Sequence, residues 1–412
     1  MSRKSSIVGI RGLGWQWLLC GSLMLAMFSF PSCAWAAYVT MVDNGPSANR
    51  VNAVFLGDGY TASQISSTYV THINNLVNYM FNPGGSTLKV DPFARYKNFF
   101  DIYRVDVISN QSGADDPINN IYVDTALDAS YRFDGVTDRL LGVNGTKANT
   151  ALNSGIGGAF TVGMKFVTVN ATKYGGAGGT YATYAGGNSS ALEIALHESG
   201  HSFDRLGDEY GGNTGTYAGS EPSQVNITKD PTGAKWSRWI GYDQPGVGVI
   251  GAYEGGYYYD HGIYRPSLNS KMRSLNQPFD AVAREKIILD IYSIVDPVDS
   301  YLANTSTLTD PNSLWVSVID TDVISLQWYC DDTPITGATN EVLDLTMGSY
   351  SQGLHTFKAL AYDPTDWVRA DRSSLQQTLS WSAMLVPEPG VFALVSTGLM
   401  ICCWCRRAKK TK

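Results

Sequence analysis

The sequence predicts a mixed α/β unit of α+β character followed by a small all-β sandwich, and three observations carry that reading. Over residues 38–295, strand-like alternating runs are interleaved with helical ones, the pattern of a layered α/β architecture. Beyond Asp296-Pro297, short apolar runs recur about every ten residues between Asp, Thr, Gly and Pro, the rhythm of a small antiparallel sandwich of immunoglobulin-like type. Each end carries an apolar stretch beside basic residues, and these ends belong to neither fold. The expected divisions are 1–36, 37–295, 296–384 and 385–412.

The first division has the order of a secretory signal. Arg3, Lys4 and Arg11 stand without any acid before an apolar run from Trp15 to Phe30, and Ala34-Trp35-Ala36 sets cleavage after Ala36. In the catalytic-sized second division, residues 50–56 (RVNAVFL) read as a strand ending at Gly57-Asp58-Gly59, and residues 63–81 as an amphipathic helix. Residues 99–108 and 165–170 read as further strands. In the third, residues 314–318, 323–329, 342–345, 355–362 and 375–382 are the strands of the sandwich.

The last division runs Val386-Pro387-Glu388-Pro389-Gly390, then an apolar stretch to Cys405, then Arg406, Arg407, Lys409, Lys410 and Lys412. As a helix the apolar stretch rises about 24 Å, short of a bilayer core of about 30 Å, so membrane association is expected to be transient, with the basic tail on the cytoplasmic side. These parts in this order resemble the PEP-CTERM sorting signal of exopolysaccharide-producing Gram-negative bacteria. The resemblance implies an exosortase-type partner and a destination at the cell surface, outer envelope or extracellular matrix; a plain tail anchor is the alternative.

Composition then reads differently. Of the net charge of -7, +3 lies in residues 1–36 and +4 in residues 386–412, leaving -14 on the body between them. With 44% hydrophobic and 16% charged residues the chain is no disordered polymer. An acidic body repels phosphate, which excludes nucleic acid as a main partner. Five of the six cysteines lie in the two ends, so Cys330 is left alone and the body has no internal disulfide.

The chemistry is concentrated in residues 190–210, SALEIALHESGHSFDRLGDEY. Ser190 and Glu193 fit a capping box, and a helix over residues 191–206 is expected to stop at Gly207. His197 and His201, four residues apart, then share one face and can hold the same ion, with Glu198 beside them as general base. Five His and eight Glu in 412 residues make a chance HExxH a matter of roughly one in a thousand, so a metal site is the economical explanation. Zinc supplies activated water at neutral pH and needs a third protein ligand. Asp208 is the first choice, because Gly207 lets the chain turn back; Glu209, a carboxylate from the N-terminal part and His261 are the competitors. His72 and His355 read as isolated residues.

HESGHSFDRLGDEY resembles the signature of the IgA-peptidase family of metzincin-type zinc metallopeptidases. The similarity extends to NRVNAVFLGDGYT from Asn49, PFARYKNFFDIYRVDV from Pro92, KYGGAGG from Lys173, YRPSLNSKMR from Tyr264 and DWVR from Asp366. It implies a metzincin-like fold and a secreted zinc endopeptidase acting on protein or peptide, with His197, His201 and Asp208 as ligands and Glu198 as base. The chain departs from metzincins where a Gly and a third His are usual, having Asp204 and Gly207 there. Met272 corresponds to the methionine turn or is an ordinary core residue; Tyr210 and Tyr264 either reach an oxyanion or only pack. The 165–170 strand, followed by a glycine-rich run from Tyr174, is either the edge on which a peptide pairs or the start of a flexible loop. The competing function is a surface-associated binding or matrix protein that keeps a zinc site without turnover.

Overall fold

The computed structural model describes residues 38–346 and 350–386. The signal, the Pro-Glu-Pro motif and the C-terminal apolar and basic segments lie outside the described residues. Among the described residues, no helix is long and apolar enough to cross a membrane. The protein is mixed α/β and rich in strands, with four α-helices among the described residues.

The first sheet has six strands: β1 (Tyr38–Val42), β2 (Val51–Asp58), β3 (Phe100–Val105), β4 (Met164–Val169), β5 (Gly176–Ala177) and β6 (Ala182–Ala185). Their order is β1-β3-β2-β4-β6-β5, parallel from β3 to β6 and antiparallel at both outer pairs. Every residue of β2 is buried, which explains a near-continuous apolar run. Alternate residues serve opposite faces. Val51, Ala53 and Phe55 join one core with α1 (Thr68–Phe81), α3 (Ala191–Ser202) and α4 (Ala281–Tyr292). Val54 and Leu56 join another with α2 (Gly145–Ile156). The sheet is thus covered on both sides.

Two expectations change here. The helix expected from residue 63 begins at Thr68, because residues 62–67 form turns, with Gln64 bonding back to Thr61. The 165–170 strand is not an edge: β4 lies between β2 and β6, and alternation along one strand carries no information about strand order. The outer strand is β5, in the glycine-rich run, and Leu141 N–H and Arg139 C=O already bond its Gly176, each at 3.3 Å.

After α4, a three-stranded sheet (Val298–Tyr301, Ser313–Val318, Val342–Asp344) and a five-stranded sheet share a buried cluster. The five-stranded sheet is built on Ser325–Cys330, Gly353–Tyr362 and Gln376–Leu385. Trp328 and Trp381, 5.4 Å apart, fill its centre. One pair, Leu308–Thr309 on Ala383 and Met384, is parallel rather than antiparallel.

These sheets are bonded to the first half. Buried Asp363 accepts from Arg95 (2.9 Å), Tyr96 and Tyr292 (3.0 Å). Buried Glu285 on α4 accepts from Arg238, from Trp239 (2.9 Å) and from the backbone N–H groups of Arg369 (2.6 Å) and Ala370 (2.8 Å). The DWVR segment sits at this junction, with Arg284 over the Trp367 ring and Arg369 over Trp239.

Candidate active site

Helix α3 packs Ile194, Ala195 and Leu196 into the core and carries His197 and His201 toward the site. The capping box does not form. Ser190 makes no side-chain cap, and Glu193 turns inward to buried Lys271 (2.6 Å), the Asn276 N–H (2.7 Å) and the Tyr79 hydroxyl. A buried cation pulls on that carboxylate more strongly than a helix-end amide does. Burial opposes ionisation of Glu193, but Lys271 and the hydrogen bonds hold its carboxyl below the usual range.

The helix stops at Ser202 rather than Leu206, and the turn falls at Arg205, whose φ of 55° is left-handed. Gly207 does not have positive φ. Its role is close approach: a Cβ there would meet Ile227 at 2.7 Å, and Asn226 brackets its backbone N–H (2.8 Å) and C=O (2.9 Å).

This turn brings Asp208 back to the histidines. His197 Nε2, His201 Nε2 and Asp208 Oδ1 form a triangle with all three sides 3.2 Å. Tetrahedral zinc with bonds of about 2.0–2.1 Å puts its ligand atoms about 3.3 Å apart, so the donor set fits such an ion. Each histidine is oriented from behind: Nδ1 of His197 faces the Lys271 C=O (2.9 Å) and Nδ1 of His201 the Leu206 C=O (2.7 Å). Donation from Nδ1–H leaves both Nε2 lone pairs aimed inward. The second Asp208 oxygen accepts from the Tyr258 hydroxyl at 2.5 Å.

The competitors for the third position are elsewhere. Glu209 is buried, its oxygens taken by Asn226 (2.8 Å) and Ser270 (2.7 Å). His261 is exposed beside Glu254. Neither remaining histidine is isolated: His72 bonds Tyr60 (2.7 Å), and His355 faces Asp331 (2.7 Å) and Cys330.

Glu198 is nearly buried, and that burial raises its pKa, opposed by His197, His201 and Arg139. Beneath the site lies Met272, fully buried, whose sulfur would be 2.8 Å from any Cβ on Gly200. The glycine-rich run is equally crowded: a Cβ on Gly178 would meet His201 at 2.3 Å. Gly176 and Gly178 let the chain at β5 press against α3. A cavity of about 290 Å³ opens beside Glu198, lined by His197, Tyr174, Tyr210, Arg139, Arg273 and Leu275 among others. Tyr210 lines it and Tyr264 does not. Tyr258, Lys271 and Asn226 carried no signal in the sequence, because each acts through a fold contact with a distant segment.

No curated protein matches the chain. One solved structure with a local likeness is the Bacteroides ovatus mixed-linkage glucan utilization locus (MLGUL) SGBP-B in complex with mixed-linkage heptasaccharide, at 14% identity over 23% of this chain and TM-score 0.16. The chain spans 22% of that structure, too slight a likeness to define a fold. The family model described as IgA Peptidase M64 matches residues 39–247 and 242–291. That span takes in β1, the HExxH helix, Asp208 and Met272, and it places the chain in the IgA peptidase M64 family, a family of metal-dependent peptidases.

Proposed function

We propose that the protein is an exported zinc endopeptidase, with His197, His201 and Asp208 as ligands and Glu198 as general base. The observation that carries this reading is the equal-sided donor triangle with Glu198 next to it on α3. A zinc ion held there would act as a Lewis acid and bring the pKa of water to about 7. The two backbone carbonyls behind the histidines and the Tyr258 hydroxyl behind Asp208 hold the donor atoms in place. Glu198 takes a proton from the attacking water on a carboxylate oxygen and passes it to the amine nitrogen as the peptide C–N bond breaks.

We assign residues 37–295 to a metzincin-like catalytic part and 296–384 to an immunoglobulin-like sandwich. Residues 1–36 are read as a removed signal and 385–412 as a sorting segment for an exosortase, with the cell surface, outer envelope or extracellular matrix as destination. Against the binding-protein alternative stands Glu198, which a site kept for its metal alone does not need. Metal analysis and casein or gelatin digestion test the proposal on the full chain. One zinc per chain is expected, and Glu198→Ala should lose cleavage by roughly 10²–10⁴-fold while keeping the metal. Undiminished cleavage by that variant would sink the mechanism.

A further inference from the structure

The cavity beside Glu198 has two arginines in its wall, Arg139 and Arg273. Neither has a carboxylate partner among the described residues. Arg139 Nη2 reaches the Tyr210 hydroxyl at 3.3 Å with its guanidinium 5.7 Å from the ring, and Arg273 Nη1 donates to the Leu268 C=O at 2.7 Å. The remaining donors of both forks are uncommitted. Of the other described arginines, Arg50, Arg95, Arg104 and Arg238 each sit on an aspartate or glutamate, whereas Arg132, Arg205, Arg265, Arg284, Arg369 and Arg372 form no ion pair, so what sets Arg139 and Arg273 apart is their shared place in one cavity wall. In a body carrying fourteen excess negative charges, two guanidinium groups in one cavity wall, against the single carboxylate of Glu198, are an arrangement for an anionic guest.

Both are mounted close to the site. Arg139 lies in the segment bonded to Gly176 of β5, and its charge acts on both Glu198 and Asp208. Arg273 follows Met272 by one residue. Tyr174, Ile194, Tyr210 and Leu275 add apolar surface to the wall beside His197, Glu198 and Ser274, suited to the stem of a side chain. A guanidinium fork matches a carboxylate two bonds at a time, and the common anion of a polypeptide is a carboxylate.

We propose that this cavity is a subsite for a substrate carboxylate, held by Arg139 and Arg273 next to the position of cleavage. The carboxylate comes from an Asp or Glu side chain or from the C-terminus of the substrate. The inference rests on the peptidase reading above, and its test is separable from it because binding is measured without turnover.

The probe is a set of four fluorescein-labelled peptides of one sequence, with a central Glu or Gln and a C-terminal carboxylate or amide. Their affinities are measured by anisotropy on zinc-loaded, full-length Glu198→Gln protein. At least about a tenfold advantage is expected for the charged twin, shrinking as salt rises. Whether the central or the terminal charge carries it identifies the source. Adding Arg139→Gln and Arg273→Gln should bring the twins to equal affinity, with zinc content and near-ultraviolet circular dichroism reporting that the variant is folded. The single Arg139→Gln variant, altered at an exposed side chain, should lose part of the advantage and serves if the combined variant does not fold. Equal affinity for all four peptides, no binding up to millimolar concentration, or an advantage that survives both arginine changes overturns the proposal. Selective binding with no cleavage by the unaltered chain overturns the peptidase reading and leaves the subsite standing.

Discussion

Two clusters among the described residues bring three possible metal ligands together, and they differ in how far apart the inward atoms stand. At His197, His201 and Asp208, both rings are tied through Nδ1 to backbone carbonyls, and the spare Asp208 oxygen is tied to Tyr258. The three inward atoms are left equidistant at 3.2 Å. At Cys330, Asp331 and His355, the ring meets the carboxylate directly at 2.7 Å, with the sulfur 3.8 Å from each. Asp331 is half exposed on a tight turn, and its other oxygen accepts the Thr356 N–H. The first cluster leaves three inward atoms at the spacing a tetrahedral ion needs, whereas in the second the ring and the carboxylate meet each other. Ligand types do not separate them, and neither does the bond behind the ring, since His355 Nε2 also faces a backbone carbonyl, that of Ser351, at 2.8 Å; the spacing of the inward atoms does.

The largest effect that tests this contrast is on metal content. His201→Ala should weaken metal binding by more than about a hundredfold, beyond the cost of losing an outer hydrogen bond, while His355→Ala leaves stoichiometry unchanged by elemental analysis. Metal loss in the second variant would erase the distinction. Next comes the support beneath His197: Lys271→Met leaves buried Glu193 without its cation and should cost about 3–5 kcal/mol in denaturant unfolding. A smaller change is expected for Tyr258→Phe, about a tenfold loss of zinc affinity in chelator competition with little change in stability.

The smallest effect belongs to the second cluster. The hydrogen bond from His355 to Asp331 raises the histidine pKa. Its stabilisation is therefore complete below the unfolded value of about 6.5 and fades as pH rises through the elevated folded value. The difference in melting temperature between the unaltered chain and Asp331→Asn should shrink from pH 6 toward pH 9. A difference constant with pH would remove the ion pair from the comparison.

Much of this was legible in the sequence because it is local. The strands came within a few residues because alternation is a property of single segments, and the HExxH spacing needs only one helix. The sequence prefers Asp208 to Glu209 only on the expected turn at Gly207, which the structure makes at Arg205; what separates the two carboxylates is that Ser270 and Asn226 claim Glu209. Tyr258 reaches Asp208 from a turn in which both Tyr257 and Tyr258 have left-handed φ, 50° and 72°, which no glycine or asparagine announces. Ser190 and Glu193 matched a capping motif and failed it, because Lys271 lies 78 residues away in sequence and beside Glu193 in space. The edge strand was misplaced for the same reason: neighbours in a sheet are a property of the whole chain.

The bonds of Glu285 with Arg369 and Ala370 make the two halves one cooperative unit. Cutting the chain after α4 would strip this buried carboxylate of two backbone donors and leave Tyr96 and Tyr292 without Asp363. Each loss is that of a buried polar group without a partner, which costs far more than an exposed linker saves. Removal of the residues beyond α4 is therefore expected to destabilise the part that carries the candidate site.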